Sequence, residues 1–188
     1  MYLKRSLRPS CRAAFSTAAA GKGAFRQRPL RSAMYVPGSN ARAVAKAQGV
    51  RADAVILDLE DAVAPLAKPS ARSALVELLS GGPDESPFGL RTVVVRVNAL
   101  DTPWGEEDVS ELSSCPGVDA LLLPKTESKE HVSELERLML VHGGFEKDIW
   151  CMVETPLGVL RAEEIATALP NSARVQCLVC VTWFPAGG

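Results

Sequence analysis

Ala54-Val55-Ile56-Leu57-Asp58-Leu59-Glu60-Asp61 runs four consecutive apolar residues into three carboxylates, and its reading decides the fold. An apolar run without polar alternation marks a strand buried on both faces, as in a parallel sheet covered by helices. The pattern recurs. Val93-Val94-Val95 leads into Arg96-Val97-Asn98, Leu121-Leu122-Leu123 into Pro124-Lys125, and Ile149-Trp150-Cys151-Met152-Val153 into Glu154-Thr155-Pro156. In parallel α/β folds the C-terminal ends of the strands converge on one rim, where the chemistry is kept. Carboxylates, an arginine and a lysine on that rim point to a metal-assisted site for an anionic substrate.

Working outward, strand and helix patterns alternate every 25–30 residues or so, the spacing of βα units. Strands are expected at Ser32–Val36, Ala54–Leu59, Thr92–Val97, Ala120–Leu123, Asp148–Val153 and Val175–Val181. Helices are expected from an Asn40 cap to about Gln48, then at Ser70–Leu79, Glu106–Leu112, Ser128–Val141 and Leu157–Leu169. An open doubly wound sheet and a TIM barrel both fit this order. A nucleotide-binding open sheet would carry a Gly-rich turn after its first strand, and here that turn is Pro37-Gly38-Ser39-Asn40. The barrel is therefore favoured. It needs eight strands, and this α/β chain supplies about six βα units.

The chain has 188 residues, 47% of them apolar and 23% charged, the composition of a soluble globular protein. No apolar run reaches the roughly 18–20 residues that span a bilayer. Charge is unevenly placed: residues 1–28 hold Lys4, Arg5, Arg8, Arg12, Lys22, Arg26 and Arg28 and no acidic residue. Removing those seven positive charges takes the net charge from -1 to -8, which argues against nucleic-acid binding by the remainder. A basic leader rich in Ala and Ser is the composition of a transit peptide. Residues 1–28 are thus expected to be a disordered leader, mitochondrial (matrix) before plastid, and residues 29–188 a partial TIM-barrel domain. A basic tail without an address is the alternative. Five scattered cysteines imply no disulfide framework, and Cys177-x-x-Cys180 sits inside an apolar strand that turns the two to opposite faces.

Glu154, between a buried strand and a helix start, suits one ligand of a Mg²⁺ site or a cap of that helix. Asp58, Glu60 and Asp61 close the second strand. Close carboxylates repel, so one is suited to proton transfer, or they orient a metal-bound water. Alternatively they pair with Lys68 and Arg72 and hold down the next helix. Arg96 offers a bidentate fork to a substrate carboxylate, or forms a buried ion pair with the second-strand carboxylates. Lys125 is a ligand contact or a rim salt bridge. His131 and His142 are expected in solvent and outside catalysis.

Taken together, Arg31-Ser-Ala-Met-Tyr35-Val-Pro-Gly38, Asp53–Val63, Val95-Arg96-Val-Asn98, Leu123-Pro-Lys125-Thr-Glu127-Ser and Val153-Glu154-Thr-Pro-Leu-Gly158 resemble the HpcH/HpaI aldolase and citrate lyase beta-subunit-like family. The resemblance runs from about Arg31 to Leu178. It implies a TIM barrel, Mg²⁺ and reversible carbon–carbon cleavage, with acyl-CoA thioesters such as citramalyl-CoA or malyl-CoA, or 2-oxo-acid aldols, as substrates. It further implies Glu154 as a metal ligand, Arg96 as the holder of a substrate oxygen, and Tyr35, Arg42 and Lys46 near the acyl-CoA. A homo-oligomer is implied for complete members, with neither nucleic acid nor membrane as partner. In the family the sixth strand continues into a Gly-x-x-Asp-type turn that supplies a second metal ligand, whereas this sequence reads Val181-Thr-Trp-Phe-Pro-Ala-Gly-Gly188. That departure raises the expectation of a truncated, impaired lyase. A 2-oxo-acid aldolase, or a non-catalytic fragment docking on full-length subunits, are the alternatives.

Overall fold

The computed structural model describes residues 30–81, 85–170 and 174–180. The leader 1–28, with its expected address, and the tail 181–188 lie outside them. Each expected apolar run is a strand: β1 (Ala33–Pro37), β2 (Ala54–Asp58), β3 (Thr92–Arg96), β4 (Ala120–Leu123), β5 (Asp148–Val153) and β6 (Val175–Cys180). They form one six-stranded parallel sheet in the order β1-β2-β3-β4-β5-β6. A doubly wound sheet reverses its order at a switch point. This sheet has no reversal, which decides for the barrel type; the described residues hold six of the eight units that a closed barrel needs.

The sheet is curled. Strands lie about 4.8 Å apart, so β1 and β5 in a flat sheet would be separated by roughly 19 Å. Yet the Tyr35 hydroxyl on β1 lies 3.8 Å from the Met152 sulfur on β5. The period of two sorts side chains onto two faces. Val55, Leu57, Val93, Val95, Leu121, Leu123, Ile149, Cys151 and Val153 pack with the helices in the outer core. Ala54, Ile56, Val94, Ala120, Leu122, Trp150 and Met152 form a separate inner core. Each face is apolar, which is why the strands read as unbroken apolar runs.

Helices α1 (Ala41–Ala47), α2 (Lys68–Leu79), α3 (Gly105–Ser113), α4 (Lys129–Val141), α5 (Pro156–Leu160) and α6 (Ala162–Ala166) connect the strands. Asn40 caps α1, its side chain accepting from the Ala43 N–H at 3.0 Å. Val132, Leu135, Leu138 and Met139 give α4 its buried stripe. The single helix expected at Leu157–Leu169 is instead two short ones, because Arg161 leaves helical geometry at φ -109 and ψ 17. The break allows two separate anchors. Gly158 lies where an added Cβ would come within 2.6 Å of the Thr126 carbonyl, and Ile165 is fully buried. In β6, Cys177 is half-buried and Cys180 exposed, as expected for opposite faces. Among the described residues no group of three His, Cys, Asp or Glu could hold a metal, and no helix is long and apolar enough to cross a membrane.

Candidate active site

The inner-face series of each strand ends in a polar residue. Ala54 and Ile56 are followed two positions on by Asp58, Val94 by Arg96, and Trp150 and Met152 by Glu154. The same periodicity that builds the inner core thus carries a polar rim above it. Asp58 and Arg96 are direct partners across β2 and β3. Arg96 donates from Nε to Asp58 Oδ1 at 2.7 Å and from Nη2 to Oδ2 at 2.6 Å, a bidentate fork with both side chains buried.

The third guanidinium nitrogen points elsewhere. Nη1 reaches the Met152 sulfur at 3.5 Å and lies 2.9 Å from Glu60 Oε2. The latter contact is short enough for an ion pair but out of line for a hydrogen bond, so this buried carboxylate oxygen has no hydrogen-bond partner. The Tyr35 ring lies 5.5 Å from the Arg96 guanidinium carbon, in cation–π range, and is partly exposed at the mouth. Lys125 adds a second cation, its Nζ bonded to Glu60 Oε1 and 3.7 Å from Asp61 Oδ1.

Lys125 also has φ 46, in the left-handed region that non-glycine residues rarely occupy. That conformation turns its N–H onto Glu154 Oε1 at 2.9 Å. One residue therefore ties both carboxylate groups of the rim. Helix capping does not explain Glu154, since Thr155 supplies the cap of α5 by accepting from the Gly158 N–H at 3.1 Å.

Below the rim, Asp58 holds the loop that carries its neighbours, accepting from the Glu60 N–H at 2.8 Å and the Ala62 N–H at 3.1 Å. Gly38 is needed beside it: the turn after β1 donates its N–H to the Asp58 carbonyl at 2.8 Å, where a Cβ would clash. Burial pushes the Glu60 carboxyl above its ordinary pKa, against the bond from Lys125 and the charge of Arg96, which pull it down. Burial also opposes the Arg96 charge, but the Asp58 bonds and the surrounding carboxylates outweigh it and raise its pKa.

Of the expected site residues, Tyr35, Asp58, Glu60, Asp61, Arg96, Lys125 and Glu154 come together on this rim. Arg42 and Lys46 stand apart, exposed on α1. The expected tie from Lys68 and Arg72 to the second-strand carboxylates is not formed. Arg72 instead turns to α3, pairing with Glu107, Asp108 at 2.9 Å and Glu111 at 2.9 Å. Lys68 bonds main-chain carbonyls and Asn98 instead of those carboxylates, and Asp108 did not stand out in the sequence.

The residue types suit a hard divalent cation. Asp58, Glu60, Asp61 and Glu154 outnumber Arg96 and Lys125, and still outnumber them with Lys68 included. Magnesium takes one or two carboxylates and completes its octahedron with water and substrate oxygens. Glu154 and the unbonded Glu60 oxygen fit that demand.

A model of the family described as HpcH/HpaI aldolase/citrate lyase matches residues 31–180. The chain belongs to this family. A (3S)-malyl-CoA thioesterase of Cereibacter sphaeroides (strain ATCC 17025) is 42% identical over 143 residues, covering 76% of this chain and 47% of that protein. The citrate lyase subunit beta of Escherichia coli (strain K12) is 35% identical over 147 residues, covering 75% and 47%. This HpcH/HpaI member thus spans about half the length of the curated relatives it matches. Among solved structures, protein CitE from Mycobacterium tuberculosis in complex with magnesium, acetoacetate and coenzyme A aligns with a TM-score of 0.55 at 32% identity, over 82% of this chain and 48% of that one.

Proposed function

We propose that this chain carries the substrate-gripping half of a Mg²⁺-dependent carbon–carbon lyase for a 2-hydroxy-acid acyl-CoA thioester, of the citramalyl-CoA or malyl-CoA type. One observation carries the reading. Arg96 is locked by Asp58 through two of its nitrogens, while the third lies 2.9 Å from Glu60 Oε2 out of line for a hydrogen bond and donates only to a thioether, a weak acceptor that a substrate carboxylate or carbonyl oxygen would better replace. The CitE complex with magnesium, acetoacetate and coenzyme A supports the substrate class.

In this reading Glu154, assisted by Glu60, holds the metal. Bound Mg²⁺ would polarise the oxygens of the 2-hydroxy acid. Arg96 Nη1 orients the substrate and faces negative charge as it develops on oxygen. Glu60 or Asp61 accepts the hydroxyl proton as the carbon–carbon bond breaks, releasing a 2-oxo acid, and the thioester fragment regains a proton on carbon. Lys125 favours the ionised form of Glu60 against the burial that opposes it. Tyr35 lines the mouth, and Arg42 with Lys46, one helical turn apart, meets the nucleotide phosphates. The leader 1–28 addresses the chain to the mitochondrial matrix, which a reporter fused to those residues tests directly.

A second reading is thioester hydrolysis, favoured by the Cereibacter relative's name. Incubation of the chain with Mg²⁺ and malyl-CoA or citramalyl-CoA separates the two. Oxo-acid release with the thioester intact supports the lyase, and free thiol without oxo acid supports hydrolysis. A 2-oxo-acid aldolase would cleave the free aldol acid and ignore the thioester. Absence of any product overturns the catalytic reading for this chain and leaves the non-catalytic one.

A further inference from the structure

Lys68 is an ammonium group buried to 6% exposure with no carboxylate in salt-bridge contact among the described residues. Its three donors are all used: the Leu59 carbonyl at 2.9 Å, the Glu60 carbonyl at 2.6 Å and Asn98 Oδ1 at 2.6 Å. The Trp104 ring covers it at 5.3 Å. Burying a charge against neutral acceptors is unfavourable unless the bonds are good and complete. A neutral side chain could fill the same space, so the arrangement calls for a purpose.

Its place in the fold supplies one. The Asp58–Ala62 segment carries Glu60 and Asp61, and a loop of this kind has main-chain groups of both polarities to satisfy. Asp58 takes the N–H groups of Glu60 and Ala62; Lys68 takes the carbonyls of Leu59 and Glu60. The two charges clamp the peptide from opposite sides. Asn98 extends the clamp, donating from Nδ2 to the Leu59 carbonyl at 3.1 Å and to Asp108 Oδ2 at 2.6 Å, while Arg72 braces Asp108 from α2.

We propose that Lys68 is a positioning residue that sets the Glu60 and Asp61 carboxylates through the Leu59 and Glu60 carbonyls, a role that rests on the functional reading above only for its catalytic consequence. Lys68→Met keeps the length and loses the three donors. In the full chain, hydrogen exchange at the Glu60 and Ala62 amides should accelerate at least tenfold more than at Leu121 in β4. Lys147→Met removes a buried ammonium that bonds main-chain carbonyls at the opposite end of the sheet, and should not speed these sites more than Leu121.

With malyl-CoA and Mg²⁺, Lys68→Met should lower kcat about a hundredfold while KM stays within about threefold, and Lys147→Met should leave kcat within about threefold. Lys68→Arg should not rescue, since a planar fork cannot place three donors from one nitrogen. If Lys68→Met does not fold, the wild-type chain decides: its Glu60 and Ala62 amides must be protected to the level of Leu121, and near-unprotected exchange overturns the proposal. Uniform acceleration in Lys68→Met, or unchanged kcat in a wild type that turns over, also overturns it. Local loosening in a chain without turnover upholds the clamp and defeats the lyase reading instead.

Discussion

The two ends of the sheet use charge in opposite ways. At the N-terminal end, the residue before each of β2 to β6 is charged: Asp53, Arg91, Asp119, Lys147 and Arg174. These side chains bond main-chain groups, and two of them add an ion pair, Asp53 with Arg31 at 2.7 Å and Arg174 with Glu136 at 3.8 Å. Lys147 donates to the Cys115 and Val118 carbonyls at 2.6 and 2.8 Å, Arg174 to the Gly144 and Lys147 carbonyls, and Arg91 to the Ala47 and Gln48 carbonyls at 3.1 and 2.7 Å. Asp119 accepts from the Val93 N–H at 2.8 Å, and Asp53 from the Arg31 N–H at 2.9 Å. At the C-terminal rim, Arg96 and Lys125 face carboxylates instead.

A charge matched to main chain has a fixed partner and acts as a staple. A charge matched to another side chain can be re-partnered by a ligand. Lys68 lies at the rim but bonds like the opposite end, which is why it reads as support for the site.

The largest test of this contrast is Arg96→Met. It leaves Asp58 buried without its cation and Glu60 with Lys125 alone, and removing one partner of a buried pair costs about 3–5 kcal/mol. Denaturant unfolding should show that loss, and turnover should fall on the order of 10²–10³-fold. Restoring stability in part with Asp58→Asn on the same background would confirm that the stranded carboxylate is the cause. Lys147→Met, its counterpart at the other end, should lower stability by about 1–3 kcal/mol with Mg²⁺ affinity unchanged.

The acid side of the pH–rate profile sharpens the comparison further. Burial raises the Glu60 pKa, so the limb should lie above the ordinary glutamate range, with activity lost as pH falls through it. Because Lys125 pulls that value down, Lys125→Met should move the limb to higher pH. The same raised value means that folding favours protonated Glu60. Its contribution to stability is therefore present below the ordinary glutamate pKa and lost as pH rises through the raised one. Smallest of all, Asn40→Ala removes the α1 cap without touching a charged group of either end and should cost about 1 kcal/mol in thermal unfolding.

Much of this was legible in the sequence. Runs such as Ala54–Leu57 are apolar on both faces because one face meets helices and the other the inner core, so strand and fold class followed from composition alone. Asp58, Arg96 and Glu154 stood out as polar residues that close the apolar runs. Lys68 and Arg72 were misassigned because their partners depend on how α2 lies against α3 and the loop, which sequence spacing does not specify. The complementary triad Glu107, Asp108 and Glu111 on α3 was the available signal for Arg72. The left-handed Lys125 could not be foreseen, since lysine has no preference for that geometry. The charged residues preceding five strands were a visible pattern, and they mark the staples.

The central claim is that the rim binds a divalent cation through Glu154. Calorimetric titration of the chain with Mg²⁺, wild type against Glu154→Gln, tests it most directly. Saturable binding by the wild type, weakened at least tenfold in Glu154→Gln while thermal unfolding is unchanged, is the predicted result. Equal affinity in the two proteins, or no binding by the folded wild type, would contradict it.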